Sequence, residues 1–383
     1  MTVEYLPVGI ACNISCKYCY QDPMRDAGNI NVPRQWPKVK EVLTRYGTDF
    51  SVFGGEPLLT PIDHLREVFE FGYSNFGKNG IQTNGSLITD EHIALFQEFN
   101  VHVGISIDGP RDMNLVRCSL TLTDRTERAI DILCAANRPP SLIITIHKGN
   151  NDLQRLVGWL TSLQEQGIRS FNFHELEVEC GKEHIALSED RNIETFLELY
   201  EWSKKTNTYA SPFIDIQKLL TTENPNVSCV WNACDPLTTA AVQGVNPDGV
   251  MSNCGRTNKD GINWVKADTP GTERYLSLYY TPQEYGGCRG CKYFAFCKGH
   301  CPGTAINGDW RNRTVNCKLW YTLFERIAQD NTCLSPEIVK RLEQRLITSN
   351  TSHGDVPHGD SHGDHTDYGV RATVLGEKPS WVS

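Results

Sequence analysis

Three cysteines close to the start of the chain are spaced to share one metal centre. Cys12, Cys16 and Cys19 follow the pattern C-x3-C-x2-C. A cubane [4Fe–4S] cluster has four irons, and each iron needs an outer ligand. Three thiolates therefore leave one iron open to a ligand from outside the protein. A structural zinc site would instead take four protein ligands, often from paired C-x2-C units. The spacing favours an iron–sulfur cluster with an open position.

A larger group of cysteines lies far downstream. From Cys234 the pattern reads C-x14-G-x4-C with Gly249 as the glycine, then C-x2-C-x5-C-x3-C after a gap, and then one last cysteine. With one cysteine before this pattern, the group consists of Cys229, Cys234, Cys254, Cys288, Cys291, Cys297, Cys301 and Cys317. Two zinc-ribbon-like sites are the structural alternative, because C-x2-C units suit zinc.

The cysteine count also favours metal ligation over disulfide bonds. The chain has 15 cysteines, an odd number, and no apolar run typical of a secretory signal peptide. Reducing conditions keep thiols available as metal ligands. Four cysteines fall outside both patterns, and we expect them to be buried small hydrophobes: Cys118, Cys134, Cys180 and Cys333.

Alternating strand-like and helical segments must position the first cysteines. Six strands are predicted at residues 4–10, 50–53, 80–83, 101–107, 141–147 and 170–175. The clearest helical periodicity covers residues 152–166, and another helix is predicted over 189–205. This order predicts an α/β fold, a partial (β/α)6 TIM-like barrel with a parallel sheet inside and helices outside.

Polar and glycine-rich motifs follow four of these strands. Cys12 follows the first strand, Gly-Gly-Glu-Pro at 54–57 the second, Asn84 the third, and residues 106–110 end the fourth. Active sites of such barrels lie at the C-terminal ends of the strands. Glycines at 54 and 55 would allow close approach to a ligand, and Glu56 could accept from an ammonium group. Taken alone, residues 54–57 and Asn84-Gly85 are ordinary turn sequences.

The first cysteine motif, with Tyr18 beside its last cysteine, resembles the signature of the radical S-adenosylmethionine (SAM) superfamily, and residues 54–57 resemble its GGEP segment. The resemblance implies that SAM binds the open iron and is cleaved to a 5′-deoxyadenosyl radical, which abstracts a substrate hydrogen. It also implies a set of SAM-binding residues: Tyr18, Gly54, Gly55, Glu56, Asn84, Ser106, Asp108 and Arg117. Gln82 is expected to line the same pocket.

The downstream cysteines resemble the SPASM domain, a small cysteine-rich domain of many radical SAM peptide-modifying enzymes. The resemblance implies two auxiliary [4Fe–4S] clusters, and hence three clusters in all. One is expected on Cys229, Cys234, Cys254 and Cys301, and the other on Cys288, Cys291, Cys297 and Cys317. If Cys229 is not a ligand, the first auxiliary cluster has an open site for substrate.

These resemblances imply a maturase of ribosomally made peptides that closes a C–C (cyclophane) or thioether crosslink. Its partners would be a precursor peptide and an external reductant such as flavodoxin or ferredoxin. One alternative is a side-chain oxidase like the anaerobic sulfatase maturases. Those enzymes have a catalytic aspartate directly after the cysteine equivalent to Cys254, whereas this chain has Gly255. Another alternative is a non-enzymatic iron–sulfur electron-transfer protein.

No residue stands out from the sequence as the general base. His174, Glu175 and Glu177 are candidates at the end of the sixth strand. For Glu175 and Glu177, a solvated strand end is the favoured interpretation. The catalytic residue therefore stays unassigned at this stage.

Composition shifts divide the chain into five expected segments. They are a radical SAM barrel at 1–207, a linker at 208–228, a cysteine-rich SPASM domain at 229–329, a helix within 330–347, and a polar tail at 348–383 that repeats His-Gly-Asp. Because Cys12 lies so close to Met1, no N-terminal peptide-recognition domain is expected. Recognition of a leader peptide would then depend on a separate protein, the barrel surface or the second domain.

The charge and hydropathy of the chain limit which partners it can bind and in which compartment it is expected. The net charge is -9 and the pI about 5.7, which disfavours nucleic acid as a partner. No stretch of the sequence approaches the roughly 20 apolar residues of a membrane helix. The sequence therefore predicts a cytoplasmic protein without a membrane partner.

Overall fold

A single twisted sheet organises the computed structural model, which describes residues 2–22, 33–178, 181–222, 226–238, 242–257 and 271–330. Within these residues the strands are β1 (Thr2–Tyr5), β2 (Phe50–Val52), β3 (Asn79–Thr83), β4 (Val101–Ser106), β5 (Ser141–Ile146), β6 (Ser170–Glu175), β7 (Tyr209–Ser211), β8 (Val242–Val245) and β9 (Met251–Ser252). Their order across the sheet is β7-β6-β5-β4-β3-β2-β1-β8-β9. All neighbouring pairs are parallel except β8 and β9. The predicted α/β fold is confirmed, and the sheet continues beyond the six predicted strands.

Helices fill the intervals between the strands and cover one face of the sheet. The described residues contain α1 (Trp36–Tyr46), α2 (Ile62–Phe76), α3 (Asp90–Glu98), α4 (Leu120–Ala135), α5 (Leu153–Glu165), α6 (Glu189–Thr206), α7 (Phe213–Thr221), α8 (Glu273–Tyr280), α9 (Phe294–Cys297) and α10 (Cys317–Asp330). The predicted helices at 152–166 and 189–205 correspond to α5 and α6. The predicted helix in 330–347 and the tail lie outside the described residues, except for Asp330.

The α5 helix shows how local sequence determines these elements. The Asp152 side chain caps its first turn by accepting a hydrogen bond from the Arg155 amide, at 3.2 Å. Leu156, Leu160 and Leu163 recur at helical spacing and are all buried. The apolar stripe thus packs against the sheet, while the capped end fixes where the helix begins.

The first strand is shorter than predicted. β1 ends at Tyr5, whereas the sequence predicted a strand over residues 4–10. Pro7 has no amide hydrogen for a strand ladder, and Gly9 has a φ of 59°, in the left-handed region. The chain therefore turns away from the sheet and carries Cys12 across the ends of the strands.

Register separates the two faces of the sheet. The pairs Leu142↔Phe171 and Ile144↔Phe173 share one face, and both phenylalanines contact Trp202 of α6. That face is therefore covered by helices. The opposite, inner face of the barrel carries small or polar residues in register: Glu4, Ser51, Gly80, Gln82, Gly104, Ser106, Thr145 and His174.

The cysteine-rich region packs directly onto the barrel. The ring of Trp231 lies 5.6 Å from that of Trp320 on α10, and Trp320 lies 6.1 Å from Phe196 on α6. β8 pairs in parallel with β1, from Thr2↔Val242 to Tyr5↔Val245. Residues 208–228, predicted as a linker, contain β7 and α7, and the sheet crosses the predicted boundary at residue 229.

In the part of the chain that the structure describes, every helix is too short or too polar to cross a bilayer.

Candidate active site

Backbone contacts hold the segment before Cys12 against the Gly-Gly-Glu-Pro turn. The amide of Gly55 donates to the Gly9 carbonyl at 3.0 Å, and that of Glu56 to the Ala11 carbonyl at 2.8 Å. A Cβ atom on Gly55 would lie 2.1 Å from the Ala11 oxygen, and one on Gly54 would lie 2.3 Å from the Gly9 oxygen. Protein backbone therefore approaches both glycines closely, and their predicted close approach to a ligand stays a prediction.

Glu56 is fully buried and already holds three hydrogen bonds. Its Oε1 accepts from the Leu58 amide at 2.9 Å and the Thr83 hydroxyl at 2.7 Å, and its Oε2 accepts from the Asn84 amide at 2.7 Å. Burial raises the pKa of this carboxyl, although these hydrogen bonds oppose the shift. The side chain ties the turn after β2 to the end of β3. Its contact with a SAM ammonium group stays a prediction.

Asn84 links the end of β3 to the cysteine loop itself. Its Nδ2 donates to Oδ1 of Asn13, which follows Cys12, at 2.8 Å. The Asn84 Oδ1 accepts from the amide and the hydroxyl of Ser86 at 2.9 and 2.7 Å, and Asn13 donates to Ser86 at 3.0 Å. The turn predicted at Asn84-Gly85 is therefore also a brace for the cysteine loop.

Asp108 is a buried carboxylate that gathers the side chains around the third cysteine. The Tyr18 hydroxyl donates to its Oδ2 at 2.5 Å, and Arg117 donates to the Tyr18 oxygen at 2.7 Å and lies 3.8 Å from Asp108 Oδ1. Burial by itself would raise the pKa of Asp108, but the hydrogen bond from His147 and the charge of Arg117 bring it below its usual value. The carboxylate therefore remains charged at neutral pH.

His147 completes this network from the end of β5. Its Nδ1 accepts from the Gly149 amide at 3.0 Å, so Nε2 carries the proton and faces Asp108 Oδ2 at 3.3 Å. Nearby on the inner face, Ser106 is buried and accepts a 3.4 Å hydrogen bond from Gln82. All eight predicted SAM-binding residues thus lie at the C-terminal ends of β1 to β4 or in the loops that follow them.

Cysteines of the same predicted group lie near one another in the structure, while their role as cluster ligands stays a prediction. Burial raises the pKa of Cys16 to about 12, with Cys19 and Cys12 among its neighbours. Burial also raises the pKa of Cys229 to about 12, and the nearby thiols of Cys301 and Cys234 contribute to this rise. Cys301 and Cys229 are in turn among the neighbours of Cys254.

The third group lines a cavity. Its lining includes Cys288, Cys291, Cys297 and Cys317, together with Phe294 and Arg313. Burial raises the pKa of Cys291 to about 11. Among the described residues, no three His, Cys, Asp or Glu side chains are placed to hold a metal ion.

The first and second cysteine groups adjoin each other at Tyr20. This tyrosine directly follows Cys19, and Cys254 is among its nearest charged neighbours. A Cβ atom built on Gly255 would lie 2.7 Å from the Tyr20 ring. Any side chain at position 255 would therefore require Tyr20 to move. The sequence analysis missed Tyr20, although its place beside a cysteine ligand was a usable clue.

Arg256 is a second residue that the sequence analysis missed. Its Nε lies 2.7 Å from Glu177 Oε1, and its Nη2 lies 3.5 Å from Nδ1 of His174. Burial, followed by the charge of Arg256, lowers the pKa of His174 to about 3. His174 is therefore neutral at physiological pH, and a guanidinium can only donate to its Nδ1.

The three candidate bases occupy different places. His174 is on the inner face and Glu177 pairs with Arg256, close to Cys254. Glu175 instead shares the helix-covered face with Phe173, because strand residues alternate between faces. It is 5% exposed, and its Oε1 lies 3.9 Å from Nδ1 of His300. Burial raises its pKa to about 7. Glu175 is thus buried rather than solvated, and it lies on the face opposite to His174.

The cysteines outside the patterns are less buried than expected. Cys118 and Cys134 are half-buried, and Cys118 accepts a 3.3 Å hydrogen bond from Asn114. Cys180 and Cys333 lie outside the described residues.

Comparisons with known proteins give the family of the barrel. The model of the radical SAM superfamily matches residues 6–158. A serine-type anaerobic sulfatase-maturating enzyme of Bacteroides thetaiotaomicron is 32% identical over 28% of this chain and 29% of its own length, so this match spans less than a third of that relative. A serine-type enzyme of Klebsiella aerogenes is 24% identical over 84% of each chain.

Solved structures extend the likeness of fold to most of the chain. The enzyme anSMEcpe, with bound AdoMet and the Cp18Cys peptide, has a TM-score of 0.64 at 18% identity and covers 90% of this chain and 100% of its own. Streptococcus suis SuiB, which has also been solved bound to the precursor peptide SuiA, has a TM-score of 0.55 at 13% identity and covers 82% of this chain and 76% of its own. With the superfamily match, the cysteine motif and the barrel in agreement, this chain carries a radical SAM domain over residues 6–158.

Proposed function

We propose that this protein is a radical SAM maturase that oxidises side chains of a ribosomally made peptide and closes a crosslink within it. The observation that carries the proposal is the adjacency of two cysteine groups. Tyr20, directly after Cys19, lies against Gly255, directly after Cys254. A substrate at the inner face of the barrel would then lie near both the radical source and an electron acceptor.

The residues fit the groups that this function requires. Thiolates of Cys12, Cys16 and Cys19 would hold one [4Fe–4S] cluster and leave an iron for SAM. The two downstream groups of four thiols would hold auxiliary [4Fe–4S] clusters, for three in all. When bound, SAM and its cluster supply a 5′-deoxyadenosyl radical that removes a substrate hydrogen. The eight predicted SAM-binding residues, which include Glu56, Asn84 and Asp108, would form the SAM pocket.

The protein's own residues would position SAM and shield it from water. Asp108 holds Tyr18 and thereby Arg117, a cation suited to the carboxylate of SAM. Burial of Glu56, Asp108 and His147 keeps water from this side of the pocket. The proposed partners are a precursor peptide, a flavodoxin- or ferredoxin-type reductant, and a separate peptide-recognition protein. Similar solved enzymes with bound peptides support a peptide substrate.

A sulfatase-maturase-like oxidation of one protein side chain is the second candidate. The long match to the Klebsiella aerogenes enzyme favours it. Gly255 argues against it, because an aspartate there would meet the Tyr20 ring unless that ring moved. His174 and Glu177, which flank Arg256, are the nearest replacements for a base.

Anaerobic reconstitution followed by peptide analysis tests both candidates. We expect about twelve irons per chain and release of 5′-deoxyadenosine after reduction with SAM. A crosslink and a formylglycine made from serine each remove two hydrogen atoms, so mass alone does not separate them. A hydrazide probe does, because only the formylglycine aldehyde reacts with it. Absence of 5′-deoxyadenosine, even with the peptide present, would support the electron-transfer alternative instead.

A further inference from the structure

The third cysteine group has a sequence feature that the proposed function leaves unused. Each of its four cysteines is followed directly by a basic residue, giving the pairs Cys288-Arg289, Cys291-Lys292, Cys297-Lys298 and Cys317-Lys318. The cysteines of the second group are followed by Val230, Asp235, Gly255 and Pro302 instead. In a chain of net charge -9, this local excess of cations is specific to one group.

Only one of these four cations faces solvent without a countercharge. Lys318 pairs with Glu189 and Asp190 at 2.9 and 3.2 Å, and Lys292 pairs with Glu325. Lys298 is half-buried. Arg289 is exposed, and it forms no ion pair with any residue that the structure describes.

Aromatic rings lead from the wall of the third cavity to the surface. Phe294 lines the cavity together with the four cysteines. Its ring lies 5.9 Å from that of Tyr279, which lies 5.1 Å from that of Tyr280. Tyr279 is 47% exposed and Tyr280 is 66% exposed. One contact between rings therefore separates the cavity wall from a solvent-exposed tyrosine.

Backbone hydrogen bonds place Arg289 beside the end of this aromatic path. The Cys288 amide donates to the Leu278 carbonyl at 2.7 Å, and the Arg289 amide donates to the Thr281 carbonyl at 3.1 Å. Thr281 directly follows Tyr280 at the end of α8. We call Tyr279, Tyr280 and Arg289 the α8 surface.

We propose that the α8 surface is the docking site of an acidic one-electron carrier protein of the ferredoxin or flavodoxin class. The inference rests on the proposed function, which places an iron–sulfur cluster on the third cysteine group. Exposed tyrosines and an unpaired arginine are typical of the centre of a protein interface, and the cation selects an acidic partner. One electron passes between the cluster and the carrier, and in the proposed reaction the cluster gives up the electron that it has accepted from the substrate. The carrier is reduced as the cluster is oxidised, the reverse transfer reduces the cluster in the assay below, and no covalent bond changes.

A competing interpretation is that the four cations only balance the charge of the thiolates. In that case a change at Arg289 would alter reduction of the cluster by every reductant alike. Docking predicts a loss that is specific to the protein carrier. Sodium dithionite, a small reductant that needs no interface, therefore separates the two interpretations.

The experiment uses the reconstituted full-length protein with an acidic ferredoxin and an acidic flavodoxin. Binding is measured anaerobically by calorimetry at several salt concentrations, and electron transfer is measured by stopped-flow absorbance. For Arg289→Glu we expect about a tenfold rise in Kd and a weaker salt dependence. Arg289→Gln should give a smaller rise, and Tyr280→Ala should weaken binding without changing its salt dependence. Arg128→Glu, an exposed charge reversal on α4, is the matched control and should bind like the unaltered protein.

Dithionite reduction should proceed at the same rate in all of these proteins, with the same iron content. Equal carrier affinity in the Arg289 and Arg128 variants would overturn the docking site. Slower reduction by dithionite as well as by the carriers would also overturn it, in favour of charge balance. Failure of the proposed function gives a different result, since iron analysis would then find no cluster on the third cysteine group.

Discussion

Asp108 is the charged residue with the most partners near the predicted SAM pocket. Its carboxylate bonds with Tyr18, His147 and the Thr145 amide, and it lies within 3.8 Å of the half-buried cation Arg117. Removing the charge while keeping the shape leaves Arg117 without its countercharge. The loss of this charge should therefore lower both the free energy of unfolding and the affinity for SAM.

We expect Asp108→Asn to lower the free energy of unfolding by about 3 kcal/mol, because one partner of a buried ion pair is lost. SAM affinity should fall as well, since Tyr18 and Arg117 lose their anchor. Asp124→Asn breaks the exposed pair with Arg111 and should cost less than about 1 kcal/mol. Urea denaturation and equilibrium dialysis with SAM measure the two effects. Equal costs for the two variants would contradict the role given to Asp108.

Glu175 should make stability depend on pH. Burial raises the pKa of this carboxyl to about 7 in the folded protein, so the folded state binds a proton that the unfolded state releases near pH 4.5. Its contribution to stability is therefore present at low pH and is lost as the pH rises through about 7. Between about pH 5 and pH 8, the unfolding midpoint of the unaltered protein should fall more than that of Glu175→Gln. Parallel midpoints would show that Glu175 does not titrate in this range.

Residue types and spacing predicted the first cysteine group, because its three ligands recur at short intervals, and the resemblance to the SPASM domain divided the downstream cysteines into two groups. The partners of the candidate bases could not be predicted in this way. Arg256 meets His174 and Glu177 only after the strands align. His174 and Glu175 are adjacent in sequence and lie on opposite faces of β6. Which of the two faces is buried under helices is decided only when the helices pack against the sheet.

At the scale of elements, the turn after β2 supports the loop after β1. The contacts of Gly54 and Gly55 with the backbone of residues 9–11 leave no room for a side chain. The turn therefore determines where Cys12 lies. This role connects a short glycine motif to iron binding and does not depend on contact between the glycines and a ligand.

Gly55→Ala should displace the cysteine loop and prevent assembly of the first cluster. We expect iron to fall by about a third, from twelve to eight per chain, while the auxiliary clusters remain. Gly158→Ala on α5 is the matched control, because a Cβ atom there has no neighbour within 4 Å. It should stabilise the helix by about 0.5–1 kcal/mol and leave the iron content unchanged. Full iron content in Gly55→Ala would refute the support role of the turn.

Periodicity predicted β2 to β6 and α5 to within a few residues, since their apolar residues recur at strand or helix spacing. It failed at β1, where Pro7 and Gly9 end the strand early, and at β7 and α7, which were expected to be a linker. β7 has only three residues, too few for an alternating pattern to be recognised.

At the scale of the whole molecule, α10 joins the cysteine-rich region to the barrel. Trp320 on this helix is almost fully buried and contacts Trp231, His300 and Phe196. The contacts come from both predicted domains. The two parts should therefore unfold together.

Trp320→Ala should lower the free energy of unfolding by about 3–5 kcal/mol, because it leaves a large cavity at this junction. Far-ultraviolet circular dichroism and the visible absorbance of the clusters should be lost in one transition, at a lower midpoint. Tyr73→Ala, on the outside of α2 and half exposed, should change stability by less than about 1 kcal/mol. Two separate transitions in the unaltered protein would show that the domains are independent.

The pairing of β8 with β1 limits how this protein can be recombined with its relatives. β8 and β9 arise from the cysteine-rich region, yet they complete the edge of the barrel sheet next to β1. A chimera cut at residue 229 would leave β1 with an exposed ladder of unpaired amides and carbonyls, which favours aggregation. Grafts of foreign cysteine-rich segments should therefore keep this chain's residues up to β9 and begin after Ser252. The order of strands in the sheet, and not the order of the cysteine motifs along the chain, therefore determines where this protein can be divided.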